Sequence, residues 1–142
     1  MDTMAEVLDE KGRSVHTTQP DASVREAVAV MCSSKVGSLL VCDGTRPVGL
    51  FTERDLKSRV VLRKRDPDAT YVYEVMTPEV PCLGLEATVH EAMQVMTEQR
   101  CRYVPIVGAG RVIGMVSIGD LVEWMCRNQQ NEIHLLREYI GG

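Results

Sequence analysis

The run Gly49-Leu50-Phe51-Thr52-Glu53-Arg54-Asp55 returns 65 positions later as Gly114-Met115-Val116-Ser117-Ile118-Gly119-Asp120. In both, a glycine and two apolar residues lead to a hydroxyl residue, with an aspartate three positions beyond it. A Ser or Thr followed at that spacing by an acid marks the start of a helix. The hydroxyl accepts a free backbone amide, and the carboxylate sits at the positive end of the helix dipole. The apolar residues before it, Pro47-Val48-Gly49-Leu50-Phe51 and Val112-Ile113-Gly114-Met115-Val116, read as strands. Each run therefore predicts a strand that passes directly into a helix.

Worked outward at the same shift, the likeness extends without a gap. Asp21-Ala22-Ser23-Val24-Arg25-Glu26-Ala27-Val28-Ala29-Val30-Met31 lies over Glu86-Ala87-Thr88-Val89-His90-Glu91-Ala92-Met93-Gln94-Val95-Met96, and ten positions between Asp21 and Leu56 are identical. The chain is an internal repeat. Each copy opens with an extended piece, Val15-His16-Thr17-Thr18 or Val80-Pro81-Cys82-Leu83. An amphipathic helix follows: Val24, Ala27, Val28 and Met31 recur at helical spacing, with Ser23 and Thr88 as caps. A strand comes next, Ser38-Leu39-Leu40-Val41-Cys42 or Tyr103-Val104-Pro105-Ile106-Val107. A glycine turn leads from it to the strand of the repeated run. The predicted order is β-α-β-β-α twice.

Neither half is large enough to be comfortable alone. The expectation is a mixed α/β (α+β) fold in which the two repeats pack sheet to sheet about a pseudo-twofold. Residues 7–64 form the first repeat, 65–74 the linker, 75–127 the second repeat, and 128–142 a helical extension. The stripe Trp124, Met125, Ile133, Leu136 and Ile140 predicts a long C-terminal helix whose apolar side needs a cover; a second copy of the chain is the expected one, and folding back on its own module is the alternative.

Composition removes several function classes. Apolar residues make up 44% and charged residues 25%, with a net charge of −4, so the surplus of cations that a duplex binder uses against phosphates is missing. The basic run from Lys57 to Arg65 reads as a solvated helix end, with a phosphate-facing rim as the alternative. No apolar stretch is long enough for a membrane span, and the first residues do not look like a secretion signal. Cys32, Cys42, Cys82, Cys101 and Cys126 are odd in number and without CxxC spacing. They predict neither a disulfide framework nor a zinc site but small apolar core residues in a reducing, cytoplasm-like compartment. An organelle is the alternative if a transit peptide has been removed. No nucleophile–base pair, metal cluster or phosphate loop points to an enzyme.

The doubled Gly-h-h-Thr/Ser-x-x-Asp pattern, with h apolar, resembles the mark of the CBS domain. Val75-Met76-Thr77-Pro78 resembles the approach to a second CBS repeat. Arg100-Cys101-Arg102-Tyr103-Val104-Pro105-Ile106 resembles the segment before that repeat's second strand, with Tyr103 where histidine is common. The likeness covers the chain from about Val7 to Met125. It is that of a tandem pair, or Bateman module, like the stand-alone two-CBS proteins of bacteria and plant organelles.

The resemblance implies a non-catalytic adenine-nucleotide sensor of energy or redox state that modulates a partner protein as a homodimer. AMP is the first expectation for the ligand, with ATP, ADP, NAD and S-adenosylmethionine as alternatives. In the family the motif aspartate accepts from both ribose hydroxyls, and the Thr or Ser lies beside the ribose and α-phosphate. For Thr52, Asp55, Ser117 and Asp120 the competing reading is capping alone. Arg54 would reach a phosphate, or else pair with Glu53 or Asp55. Gly119, its counterpart, would admit a phosphate to the backbone, and Arg102 would bind one. Adenine would lie near Val36 and Gly37 on one side and Tyr103 on the other, with Thr17 and Gln19 lining a ribose pocket and Pro105 also counted among the nucleotide-binding residues. The site around Ser117 and Asp120 is expected to be the better equipped. Gly49 and Gly114 are expected to give the ligand a close backbone approach. Two further readings are a redox-linked interaction protein with a thioredoxin-type partner and a structural dimer with silent pockets.

Overall fold

Every element that the repeat predicts is formed, and two short helices flank the repeats' own elements. The computed structural model describes residues 2–128 and 140. In chain order the elements are α1 (Met4–Lys11), β1 (Thr17–Thr18), α2 (Val24–Ser34), β2 (Ser38–Asp43), β3 (Arg46–Thr52), α3 (Glu53–Asp55), a π-helical turn (Leu56–Val61), α4 (Val72–Val75), β4 (Leu83–Gly84), α5 (Val89–Gln99), β5 (Tyr103–Gly108), β6 (Arg111–Ser117) and α6 (Ile118–Asn128).

The repeat is kept at the level of single hydrogen bonds. The Ser23 hydroxyl accepts from the Glu26 amide and the Thr88 hydroxyl from the Glu91 amide, each at 3.1 Å. Both helices stop at a residue in the left-handed region, Lys35 (φ 56°) and Arg100 (φ 54°), which turns the chain into the central strand. Each repeat has a three-stranded sheet, ordered β1-β2-β3 or β4-β5-β6, with the first pair parallel and the second antiparallel. The bulges match too, at Val41/Cys42 and Ile106/Val107.

One departure has a covalent cause. The Leu40 amide donates to the His16 carbonyl at 3.0 Å, and β1 pairs from Thr17 onward. The matching position in the second repeat is Pro105, which has no N–H to give, and β4 pairs only from Leu83.

The chain divides into two compact units, Ser14–Val80 on the one hand and Met1–Arg13 with Pro81–Gly142 on the other. The first closes its core with Val24, Ala27, Met31, Leu39, Val41, Phe51, Val60, Val72 and Val75. The second is built from Met4, Val7, Leu8 and Val89 through to Trp124 and Met125. Burying side chains of this size gains about 1.5–3 kcal/mol each.

The two short helices are counterparts. In the first unit the Val72 amide donates to the Ala22 carbonyl and the Tyr73 amide to the Pro20 carbonyl. In the second, Met4 donates to Ala87 and Ala5 to Leu85. Thr3-Met4-Ala5-Glu6-Val7-Leu8 thus stands to the second repeat as Tyr71-Val72-Tyr73-Glu74-Val75-Met76 stands to the first. The segment leading into each repeat completes the core of the other one.

That exchange corrects the reading of the C-terminal stripe. Trp124 and Met125 are buried within their own unit, in a core that includes Met4, Val7 and Leu8 of α1, and the Trp124 indole N–H donates to Asp2 at 2.9 Å. They need no second copy to cover them. Ile140 is exposed, and Ile133 and Leu136 lie outside the described residues.

The cysteines are corrected as well. Cys32, Cys82 and Cys126 are exposed, and Cys42 and Cys101 are half-buried. Cys32 and Cys126 each follow a buried methionine, Met31 and Met125, on their helices, which turns them off the core face. The basic run behaves as a solvated helix end: Lys57, Arg59, Arg63, Lys64 and Arg65 are exposed, and only Val60 among its apolar residues is buried. No helix among the described residues is long and apolar enough to cross a membrane.

Candidate functional site: two aspartates in unlike surroundings

Each repeated run folds as its pattern requires, and the local backbone gathers several of the expected residues around it. In the first unit β2 and β3 pair Ser38 with Thr52, and the Glu53 amide donates to the Gly37 carbonyl at 3.1 Å. Val36 and Gly37 therefore adjoin Thr52, Arg54 and Asp55. In the second unit Tyr103 pairs with Ser117, and the Ile118 amide donates to the Arg102 carbonyl at 2.9 Å. This sets Arg102 and Tyr103 beside Ser117, Gly119 and Asp120. Thr17 and Gln19 are exposed at β1, Arg54 and Arg102 are exposed, and Pro105 is buried in β5. Val36, Gly37, Thr17 and Gln19 belong to one compact unit, and Ser117, Gly119 and Asp120 to the other.

The two aspartates differ in how much of their acceptor capacity is taken. Asp55 has a side chain only 5% exposed. Its Oδ2 accepts from the Thr52 amide at 3.0 Å and the Thr52 hydroxyl at 3.1 Å. Its Oδ1 accepts from the Thr77 hydroxyl at 3.0 Å and faces the Arg59 Nε at 3.7 Å. Arg59 also donates to the Met76 carbonyl at 2.8 Å, and Leu50 and Thr77 exchange backbone hydrogen bonds at 2.9 and 2.8 Å. Asp55 is the centre of a clasp that fastens residues 75–77 to the end of β3. A buried carboxylate is tolerated only when its lone pairs are filled in this way.

Arg59 reaches this place from the π-helical turn. The Ser58 hydroxyl donates to the Arg54 carbonyl at 2.7 Å, competing for the acceptor that a regular helix gives to the Ser58 amide. The ladder then runs in five-residue steps, Leu62 to Lys57 and Arg65 to Val60.

Asp120 is capped alike but held differently. The Ser117 amide donates to its Oδ2 at 2.8 Å, and its own amide donates to the Ser117 hydroxyl at 3.0 Å. The remaining partner is Lys11 at the end of α1, whose Nζ lies 2.9 Å from the same Oδ2. Oδ1 has no partner among the described residues, and the side chain is 26% exposed. Lys11 was not singled out from sequence. It belongs to α1, which falls outside the gapless part of the repeat, and a lone lysine near the start of a chain carries no pattern.

The glycines that open the two runs are explained by the protein itself, which corrects the expectation that they make room for a ligand. A Cβ on Gly49 would stand 2.7 Å from Met76 Sδ and 2.9 Å from the Thr77 carbonyl oxygen, and one on Gly114 would stand 2.7 Å from both Leu8 methyls. Gly119 differs: a Cβ there would meet only Ser117 Oγ at 3.6 Å, so the fold leaves space above it.

Burial pushes the Cys42 and Cys101 thiols up from their ordinary value. These thiols stay protonated and weakly nucleophilic at neutral pH.

Comparison with known proteins agrees with the geometry. The family model described as the CBS domain matches twice, over residues 6–62 and 72–127. The CBS domain-containing protein CBSX3, mitochondrial, of Arabidopsis thaliana is 33% identical, covering 99% of this chain and 72% of its own. A putative signal-transduction protein with CBS domains from Burkholderia ambifaria superposes with a TM-score of 0.87 at 39% identity, over 90% of this chain and 96% of that one. The CBS domain protein PAE2072 from Pyrobaculum aerophilum, complexed with AMP, superposes with a TM-score of 0.77 over 96% of this chain and 98% of that one. At 23% identity it shares the fold.

Proposed function

The chain belongs to the CBS-domain family, and from that premise we propose that it is a non-catalytic regulatory module that binds an adenine nucleotide and transmits its occupancy to a partner protein. The observation that carries this reading is the accessible, half-satisfied carboxylate of Asp120 at the start of α6. A carboxylate there accepts ligand hydroxyls, while the free amides of the helix start favour a phosphate. Ser117 and the open space above Gly119 adjoin it, and the backbone bond from Ile118 holds Arg102 alongside. The AMP bound by PAE2072 supports AMP as the first ligand to test.

In this reading the ligand site is the one built on Asp120. Asp55 serves the clasp, since a ligand there would have to displace both Thr77 and Arg59. The family likeness also supports a homodimer. Val61 and Leu62, 66% and 77% exposed at the end of the π-helical turn, are apolar surface that a second copy would bury.

A thermal-shift screen of AMP, ADP, ATP, NAD and S-adenosylmethionine tests the function. A ligand present at a hundred times its Kd stabilises by about 2.7 kcal/mol, a rise of several degrees in a domain of this size. A flat response to all five would refute the reading.

A further inference from the structure

Lys11 sits where it can read the same ligand that Asp120 reads. Its ammonium group has three hydrogens. One is directed at Asp120 Oδ2 and one at the Met115 carbonyl. The third has no partner among the described residues, and the side chain is 31% exposed. Beside it, Asp120 Oδ1 is an acceptor without a donor among the described residues. A free N–H next to a free carboxylate oxygen is complementary to a hydroxyl group, which accepts through its oxygen and donates through its hydrogen. The two bonds polarise one another in the same sense.

The surroundings favour a neutral polyol over an anion at this point. Lys11 and Asp120 line a concavity together with Glu10, Glu123 and Arg127, so three carboxylates stand against two cations. Arg127 is already paired with both Glu10 and Glu123. A phosphate would meet a net negative wall. Val7 and Trp124, both buried, form its floor.

We propose that Lys11 and Asp120 act together as a clamp on one ribose hydroxyl, which makes Lys11 a specificity residue for ribose over deoxyribose. The proposal rests on the reading of Asp120 as a ligand carboxylate. It also couples occupancy to α1, because the residue that grips the hydroxyl ends that helix.

Calorimetry with AMP, 2′-deoxy-AMP and 3′-deoxy-AMP on the full chain and on Lys11→Met tests it. The wild type should prefer AMP over one of the two deoxy analogues by about tenfold or more, the scale of a hydrogen bond to a charged group. In Lys11→Met the AMP affinity should fall by a similar factor, while the affinity for that analogue stays the same. Lys11→Arg keeps the charge and a donor and should retain part of the preference. Should Lys11→Met fail to fold, Lys11→Gln, which keeps a donor without the charge, is read in the same cycle. If the substitution weakens AMP and both analogues equally, or not at all, the clamp is wrong and the nucleotide reading survives. If the wild-type chain binds no AMP, both fall.

Discussion

The hydroxyl of Thr77 donates to Asp55 Oδ1 at 3.0 Å, bringing together two residues 22 positions apart. It fills the oxygen whose counterpart on Asp120 has no partner among the described residues. Two aspartates with the same motif and the same cap are thereby given different work.

Asp55→Ala should therefore destabilise the fold. It removes the acceptor of the Thr52 amide and hydroxyl, the carboxylate half of the capping box, and leaves the Thr77 hydroxyl without its acceptor in a half-buried site, at about 1–3 kcal/mol. Thr77→Val should cost less, because the cap on Asp55 Oδ2 survives. Urea unfolding of both variants measures the order. An Asp55→Ala protein as stable as the wild type would show that the clasp holds nothing.

The two motif glycines make an ordered pair of predictions. In Gly49→Ala the new methyl meets the backbone carbonyl of Thr77, which the Leu50–Thr77 bridge holds in place. In Gly114→Ala it meets the Leu8 side chain rather than backbone. Overpacking costs about 1–3 kcal/mol, and Gly49→Ala should lie at the upper end with Gly114→Ala below it. Urea midpoints in the reverse order would contradict these contacts.

Much of this was legible in the sequence, and the reasons for the rest are local. The strands, the helices and their caps follow from periodicity and from two copies of one motif, each correcting doubt about the other. The exchange of α1 and α4 was hidden. Their segments match at a shift of 68 positions where the bodies match at 65, and only Glu6 with Glu74 and Val7 with Val75 are identical. The inequality of Asp55 and Asp120 was hidden for a related reason. It is set by Thr77, Arg59 and Lys11, none of which belongs to the motif. The cysteines misled because their apolar neighbours face the core while they do not.

Thiol chemistry separates the redox-linked reading from the sensor reading. Cys32 and Cys126 are exposed and should alkylate first. Cys42 and Cys101 should be slow at pH 7 and quicken as the pH rises, because burial raises their pKa. The sign for stability is the same. A thiol kept neutral in the folded state contributes below its unfolded value, about 8.5, and that contribution is lost as the pH climbs through the folded one. Mass spectrometry after brief iodoacetamide treatment reads the order. Fast modification of Cys42 or Cys101 at neutral pH would favour a redox role.

Light scattering of the full chain should give the mass of a dimer at micromolar concentration. Leu62→Glu, which places a charge on the exposed end of the π-helical turn, should shift it towards the monomer while leaving the circular dichroism unchanged. A monomeric wild-type chain, with or without AMP, would rule the dimer out.

The central claim is that Asp120 is the ligand carboxylate and Asp55 the structural one, and calorimetric titration of AMP into the wild type, Asp120→Ala and Asp55→Ala tests it directly. One strong site per chain is expected in the wild type, with a loss of affinity of roughly tenfold or more in Asp120→Ala, since hydrogen bonds to a charged group are removed. Near-native affinity is predicted for folded Asp55→Ala. Unchanged affinity in Asp120→Ala, with the loss in Asp55→Ala instead, would contradict it.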